Sequence, residues 1–355
     1  MYQQGFGHTS SSSPSTQVHS VKDSNIANII EADSGLEYPW DLHKIPNFQF
    51  SKRVAVVDAM DINERLFHTR YVLKNLPCLI KGAVKHWPAF QKWKNPDYIL
   101  SVIGDVEVRA SCEPKLEAFG LRSAELDMKV SNTTQDRLLP ADTIRRILPK
   151  LRAGDHEVLF IEIFPSDPKV RCLGTDLLIE GSRFPFLRKP QRPRFLYSVW
   201  GAMLYKNSYS DWHFHPATEA IMCQVLGTKD VLLLAPTREH WDTLVPIHRE
   251  RWKVYNVDLA RFPSYRDVQP YHVVVEPGDG LFIPINWWHA VQGRAREFGI
   301  TVPVTWNSPC YDLRQPANQY FLRMLWQLRR PLAAAVFVEA TYQTMKNVIR
   351  RAVGL

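Results

Sequence analysis

The sequence predicts a mostly-β protein whose core is a sandwich or barrel of short strands. From Phe195 to Asn307 the pattern is almost all strand, because short apolar runs recur at close spacing and turn residues separate them. Helical patterns flank this region on both sides. Hydrophobic residues make up 45% of the 355 residues and charged residues 23%, which is an ordinary globular composition that permits a large core.

The chain begins with a segment of low hydrophobicity, which a folded domain follows. Residues 1–35 are rich in Ser, Thr and Gln, which is typical of disordered chain. A folded domain is expected over 36–310, with its barrel core at about 157–307. Before and at the start of that core, helices are predicted over 61–74, 96–103 and 141–151, and strands over 77–84, 106–112 and 157–164. Residues 165–194 are rich in Pro and basic side chains, which favours a long surface loop that serves as a lid or binding loop.

The core strands and the C-terminal segment follow. Strands are predicted over 195–204, 220–226, 230–236, 271–284 and 299–306. The segment 311–355 reads as two helices that are broken at Pro331. Its apolar content exceeds what one amphipathic stripe needs. Two explanations fit this equally well, namely a homodimer interface and packing against the chain's own sheet.

Charge, cysteine content and hydropathy indicate which partners and which cellular compartment to expect. The net charge of +8 is spread over many segments, so nucleic acid is an unlikely partner, whereas an anionic co-substrate and an acidic partner both fit. Five cysteines without a CxxC pair favour a reducing compartment and hence the cytoplasm. No run of about 18 apolar residues occurs, and the N-terminus lacks the pattern of a secretory signal, so no membrane partner is expected.

One short stretch carries the chemistry, 211-DWHFHPATEAIMCQVLGTK-229. Residues i and i+2 of a strand point to the same face, so His213 and His215 present two imidazoles to one point. A third ligand should come from a neighbouring strand, and His289 in 276-EPGDGLFIPINWWHAVQ-292 is the candidate. Glu219 is near enough in sequence to be a fourth ligand, and the alternative is that it orients a ligating imidazole.

These stretches resemble the cupin-like, JmjC-type branch of the Fe(II)- and 2-oxoglutarate-dependent oxygenases. The resemblance covers roughly residues 60–307 and rests on 77-PCLIKGAVKHWPAFQKW-93, 212-WHFHPATEAIMCQVLGTKDVLLLAP-236 and 277-PGDGLFIPINWWHAV-291. It implies a double-stranded β-helix, the jelly-roll or cupin core, with flanking N- and C-terminal helices. It also implies Fe(II) and 2-oxoglutarate as cofactor and co-substrate. Lys229 matches the lysine that grips the distal carboxylate of 2-oxoglutarate, and Ser210 matches an assisting hydroxyl.

The chain departs from the family pattern at one ligand. The family uses His-x-Asp…His, and His215 stands here in the place of the carboxylate. Ordinary cupins use three histidines, often with a glutamate, for Fe, Mn, Ni or Cu. Three hypotheses therefore remain: a 2-oxoglutarate-dependent oxygenase, a three-histidine dioxygenase whose substrate binds the metal directly, and a non-enzymatic metal-binding cupin. The substrate is a small molecule, a peptide or a protein, with O2 as the oxidant.

Overall fold

The protein is described by a computed structural model, which covers most of the predicted core. The described residues are 42–108, 110–111, 141–153, 160–163, 172–177, 184, 186–187, 202–206, 209–215, 218–250, 252, 254–294, 298–308, 312–314, 317–319, 322–323, 326 and 330–353. The predicted disordered segment 1–35 lies outside these residues. Within them, no helix is both long enough and apolar enough to cross a membrane.

Fourteen strands are seen in the described residues. They are β1 Ala55–Asp58, β2 Cys78–Lys81, β3 Glu107–Val108, β4 Ala110–Ser111, β5 Asp142–Thr143, β6 Phe160–Ile163, β7 Ala202–Lys206, β8 Tyr209–His213, β9 Thr218–Leu226, β10 Lys229–Leu234, β11 Tyr271–Val275, β12 Gly280–Ile283, β13 Trp288–Gly293 and β14 Phe298–Asn307. The α-helices are α1 Glu64–Phe67, α2 Pro88–Lys92, α3 Pro96–Ile103, α4 Ile144–Ala153, α5 Cys172–Asp176, α6 Arg238–Arg249 and α7 Arg330–Ala352. Short 3-10 helices cover Leu42–Lys44, Phe48–Phe50 and Pro263–Asp267.

Two sheets form the core. The larger has eight strands in the order β1-β2-β12-β9-β14-β7-β6-β4, and the smaller has four in the order β11-β10-β13-β8. The β1–β2 pair is parallel and the other pairs of these sheets are antiparallel. Many neighbouring strands, such as β2 and β12 or β7 and β14, are distant in sequence, as in a jelly roll. The predicted mostly-β, double-stranded β-helix core is confirmed.

Alternation along the strands divides the apolar side chains into three layers. The inner layer lies between the sheets and includes Met222 of β9 together with Val231 and Leu233 of β10. The outer face of the eight-stranded sheet, with Ile221 and Cys223 of β9, packs against the N-terminal helices. The outer face of the four-stranded sheet packs against α6 and α7. Side chains of the inner layer are therefore the ones that can reach a site inside the barrel.

The segment after β10 differs from the sequence prediction. Residues 238–249 form helix α6, where the sequence was interpreted as almost all strand. The Thr237 hydroxyl caps this helix by accepting from the backbone N–H of His240 at 3.1 Å. Trp241, Leu244 and Ile247 recur at helical spacing and are buried on the four-stranded sheet. The apolar residues of 238–249 therefore recur with a helical period, but the neighbouring segments show stronger strand patterns.

Part of the predicted surface loop is also buried. Of residues 165–194, the structure describes 172–177, 184 and 186–187. Leu173, Leu177 and Phe186 belong to the core beneath the eight-stranded sheet. Asp176 at the end of α5 is buried, and it accepts a hydrogen bond from the Trp93 indole at 3.1 Å. The surface-loop prediction is wrong for these residues, because their apolar side chains bury α5 against the N-terminal helices.

Pro331 lies within the described part of helix α7, Arg330–Ala352. Residues 317–319, 322–323 and 326 are also helical, and a break between two helices at Pro331 stays a prediction, because residues 327–329 lie outside the described residues. The N-terminal predictions hold in outline, and α3 spans the predicted residues 96–103. The helix predicted over 61–74 is shorter, since α1 passes at His68–Val72 into one π-helical turn.

Candidate metal centre

The three predicted histidines converge at one end of the barrel. His213 ends β8 and lies directly opposite His289 of β13, which explains why residues 76 positions apart meet. One ring nitrogen from each of His213, His215 and His289 lies within 4.8 Å of the others. The ring centroids are 4.0 Å apart for His213 and His289, and 4.7 Å apart for His215 and His289. His289 is buried, and the other two residues are partly exposed.

Backbone carbonyls fix which ring nitrogen is available. Nδ1 of His213 lies 2.8 Å from the carbonyl of Asp211, and Nδ1 of His289 lies 3.0 Å from that of Trp287. A carbonyl only accepts, so each Nδ1 carries the proton and donates it. The unprotonated Nε2 of each ring is then left as the metal-binding atom. This orientation by outer partners is typical of metal-ligating histidines.

Burial keeps the imidazoles of His215 and His289 neutral. Loss of water around the ring, and then the neighbouring His213, lower the pKa of His215 to about 3. Burial, followed by His213 and His215, holds the pKa of His289 well below its ordinary value. A metal ion needs neutral imidazoles with a free lone pair. His215 and His289 therefore offer nitrogen ligands without first having to lose protons.

Glu219 lies elsewhere. It belongs to β9 and faces the same side as Ile221, toward the N-terminal helices rather than the barrel interior. Its carboxyl accepts hydrogen bonds from the Trp306 indole at 2.8 Å and the Ser308 hydroxyl at 2.7 Å. Burial outweighs these bonds and raises the pKa of Glu219 to about 8. The structure does not bring this carboxyl together with the three histidines.

Lys229 begins β10 and shares the inner face with Val231 and Leu233. Its side chain is 5% exposed, and the ammonium group lies 4.0 Å from the centroid of the Tyr205 ring. Burial lowers the pKa of Lys229 to about 7. The turn before it uses Gly227 at φ 72°, a conformation that suits glycine. The tight turn thus brings Lys229 into the interior at the start of β10.

No carboxylate of the described ranges pairs with this ammonium group. The buried acidic side chains there have other partners, which are Lys92 for Asp176, Tyr209 for Asp211, Trp306 for Glu219, His272 for Asp230, Lys81 for Asp279 and Arg314 for Asp312. A buried ammonium group without an anion is costly. The interior around Lys229 therefore suits an anionic ligand.

Ser210 is held by the neighbouring strand. Its hydroxyl oxygen accepts a hydrogen bond from the backbone N–H of Val291 at 3.2 Å. This contact places it on β8, three residues before His213 and beside the strand that carries His289.

Three further polar residues of the interior were missed from the sequence. Gln224 donates to the Tyr205 hydroxyl at 2.6 Å and accepts from the Thr301 hydroxyl at 2.7 Å. Gly299 lies opposite Tyr205, and a methyl group there would come within 2.2 Å of the tyrosine ring. The available signal was a polar residue at an inward position of a strand, as Gln224 is within 220-AIMCQVL-226. Together these residues hold the ring against which Lys229 packs.

The donor set fits a first-row transition metal. Three neutral imidazoles suit Fe, Cu, Ni and Zn, whereas Mg and Ca prefer oxygen ligands. Three protein ligands also leave coordination positions for further ligands. The residues present thus fit the metal that the resemblance implies, although the family carboxylate is replaced by His215.

Comparisons with known proteins agree with this architecture. A family model described as "Cupin-like domain" matches residues 64–312. The human "Bifunctional peptidase and (3S)-lysyl hydroxylase JMJD7" is 25% identical, covering 70% of this chain and 82% of its own length. The human "tRNA wybutosine-synthesizing protein 5" is 28% identical, with coverages of 66% and 73%. The "Lysine-specific demethylase JMJ32" of Arabidopsis thaliana is 21% identical, with coverages of 74% and 84%. These relatives support a metal-dependent oxygenase activity. The chain belongs to the cupin-like domain family, within its JmjC-type branch.

Proposed function

We propose that the protein is an Fe(II)- and 2-oxoglutarate-dependent oxygenase that hydroxylates or otherwise oxidises a C–H bond of its substrate. The observation that carries this proposal is Lys229, a buried ammonium group without a carboxylate partner in the described residues, on the inner face of the barrel that also carries the three histidines. Such a group is suited to the distal carboxylate of a dicarboxylate ligand.

Five polar side chains have a role in this scheme. His213, His215 and His289 would hold the iron through Nε2, and the backbone carbonyls behind two of them keep the rings in place. Bound iron would supply the activation of O2. Lys229 would pair with the co-substrate carboxylate, and Ser210 would donate its hydroxyl hydrogen to the same group.

Charge explains why an anionic co-substrate belongs in this site. Three neutral imidazoles give a dication no anionic protein ligand, and the carboxyl of Glu219 is engaged by Trp306 and Ser308 outside the barrel. The opposing cation, Lys229, adds further positive charge. A dianion that spans both groups compensates both.

A second candidate function uses the same metal without 2-oxoglutarate. It is favoured by His215, which stands where the family has a carboxylate, so that the site also matches three-histidine cupins whose substrate binds the metal directly. The two candidates differ in one respect that can be measured, namely whether 2-oxoglutarate is consumed. A protein that binds metal but consumes no O2 with any substrate would instead be a binding cupin.

The substrate class and cellular setting are part of the proposal. A relative named for a lysyl residue supports peptides and proteins as the classes to screen first, together with small molecules, and a relative named for tRNA adds tRNA as a class to screen after them. Nucleic acid stays the less favoured class, because the net charge of +8 is spread along the chain. We propose the cytoplasm as location, supported by the two buried thiols of Cys78 and Cys223. The domain division at residues 36 and 310 belongs to the same proposal.

We also propose a homodimer through α7. Ala333, Val336 and Ala340 pack this helix onto the protein's own core. A second face leaves large apolar side chains exposed, among them Phe337 at 53% and Ile349 at 59%. The protein's own core covers one apolar face of α7 and leaves the other exposed. The exposed face is therefore suited to binding a second copy of this chain.

Conversion of 2-oxoglutarate tests the function. The Fe(II)-loaded protein should produce succinate from 2-oxoglutarate in an O2-dependent manner, measured by chromatography, and a matching substrate should accelerate the reaction. His289→Ala should lose this conversion, while His86→Ala, which changes an exposed histidine outside the site, should keep it. Succinate formation that His289→Ala leaves unchanged would contradict the proposal.

A further inference from the structure

A second group of potential metal ligands lies on the outer face of the four-stranded sheet. It consists of His43 from the 3-10 turn Leu42–Lys44, Asp230 from β10 and His272 from β11, and we call it the outer cluster. One ligand atom from each residue lies within 4.8 Å of the others. The three residues come from separate elements, so their convergence depends on the fold rather than on a local sequence motif.

The strand register shows where Asp230 and His272 lie on the sheet. Asp230 pairs with Val274 across β10 and β11, and His272 pairs with Leu232, so Asp230 and His272 are diagonal neighbours on one face. Lys229 precedes Asp230 and points to the opposite face, into the barrel. The outer cluster is thus separated from the three-histidine group by the sheet itself.

The segment that carries His43 is fixed to the same sheet. The backbone N–H of Leu42 donates to Oε1 of Gln292 at 2.8 Å. Further along, the N–H of His272 donates to the carbonyl of Lys52 at 2.9 Å. The Phe48 ring packs against both imidazoles, with centroid distances of 4.3 Å to His43 and 4.9 Å to His272. The two rings are therefore held beside the carboxylate before any ion arrives.

The two carboxylate oxygens of Asp230 have separate partners. Oδ1 lies 2.8 Å from Nε2 of His272, and Oδ2 lies 3.4 Å from Nε of Arg294. An ion can replace the proton between His272 and Oδ1, while Arg294 still orients the carboxylate through Oδ2. Metal bonds of roughly 2.0–2.2 Å require the three ligand atoms to close in by a small movement. His43, which is exposed, lies on a short turn that can make this movement.

We propose that the outer cluster is a second metal site, which binds a divalent transition metal of the Zn²⁺, Ni²⁺ or Cu²⁺ class. Two imidazole nitrogens and one carboxylate oxygen suit these ions better than Mg²⁺ or Ca²⁺. Exposure of His43 and partial exposure of His272 provide the entry path. The bound ion ties the turn at residues 42–44 to β10 and β11, behind the strand that begins with Lys229. This proposal does not depend on the proposed oxygenase function.

Metal stoichiometry tests the proposal on the full chain. Purified wild type and variants are dialysed against Zn²⁺, and bound metal is measured by mass spectrometry. His272→Ala and His289→Ala should each bind one equivalent fewer than wild type, and the double variant two fewer. His86→Ala should match wild type, because this exposed histidine lies outside both groups. Equal binding by His272→Ala and wild type would overturn the proposal.

Two further measurements separate loss of a ligand from loss of the fold. Asp230→Asn keeps the size of the side chain, and it should weaken Zn²⁺ binding in the His289→Ala background at least tenfold with an unchanged circular dichroism spectrum. In that same background, Cu²⁺ should show electron paramagnetic resonance splitting from two nitrogens, and adding His272→Ala should remove it. Unchanged Zn²⁺ affinity in Asp230→Asn, or a Cu²⁺ signal that His272→Ala leaves unchanged, would overturn the site. His213 and His215 are the same in all the variants compared, so this failure is distinguishable from failure of the oxygenase proposal.

Discussion

Replacing Lys229 by methionine should stabilise the ligand-free protein. Burial lowers the pKa of Lys229 from 10.5 to about 7. At 1.36 kcal/mol for each pKa unit, that fall corresponds to about 5 kcal/mol, of which about 4 kcal/mol is felt at pH 7. Methionine has a similar length and needs no water. Lys229→Met should therefore raise the free energy of unfolding by up to about 4 kcal/mol at pH 7.

The same residue makes stability depend on pH, with a definite sign. Unfolded chains keep the Lys229 proton up to pH 10.5, whereas folded chains lose it above about pH 7. The unfolded state thus binds more protons between these values, so the free energy of unfolding should rise with pH across that window. Lys229→Met should lack this contribution. Urea unfolding of wild type, Lys229→Met and the exposed control Lys94→Met at several pH values measures it.

Lys229→Met should weaken the binding of 2-oxoglutarate, although it stabilises the ligand-free protein. Removing the partner of a buried carboxylate costs about 2–5 kcal/mol, which is roughly a 30-fold to 4000-fold loss of affinity. Lys229→Met should therefore bind 2-oxoglutarate at least 30-fold more weakly, as measured by calorimetry on the metal-loaded protein, while Lys94→Met binds it normally. A variant that is less stable than wild type, or one with unchanged 2-oxoglutarate affinity, would refute this reasoning.

Other variants test the remaining parts of the site and the fold. His289→Ala should lose iron at the three-histidine group, since two imidazoles remain of three, and retention of iron as tight as in wild type by metal analysis would refute the ligand set. His215→Asp should hold Fe(II) more tightly than wild type, because it adds an anion to the dication's ligands, and unchanged Fe(II) and 2-oxoglutarate affinities in a competition assay would speak against His215 as a ligand. Cys78, whose thiol pKa is raised by burial, should stay unlabelled by iodoacetamide in the folded protein and react only after denaturation, as read by peptide mass spectrometry. Phe337→Asp should give a monomer in light scattering, whereas Val56→Asp, at an exposed apolar residue of β1, should not; two equal masses would refute the dimer.

The convergence of the three histidines was predictable because its signal is local. His213 and His215 are two residues apart, and His289 follows a turn that leads into a strand. Strand pairing then completes the arrangement by setting His213 opposite His289. The mostly-β core was predictable for a related reason, since short apolar runs between turns describe strands whichever neighbours they pair with.

The positions that sequence reasoning missed depend on which face of a strand points inward. Glu219 is two residues from Ile221 and therefore faces the helices, a direction that spacing from His215 does not reveal. The Tyr205–Gln224 contact joins two strands that are separated by β14 in the sheet. His43 joins the outer cluster through a turn that lies far from β10 in sequence. Such contacts follow from strand order, which a single sequence does not encode locally.

Anaerobic visible spectroscopy of the Fe(II)-loaded protein, titrated with 2-oxoglutarate, tests the central claim most directly. Two neighbouring oxygens of 2-oxoglutarate on an iron held by His213, His215 and His289 should give a new metal-to-ligand charge-transfer band. The band should saturate with one equivalent, and it should require at least 30-fold more 2-oxoglutarate in Lys229→Met. Iron shown to be bound, with no band at any concentration of 2-oxoglutarate, would contradict the claim and favour direct binding of the substrate to a three-histidine centre.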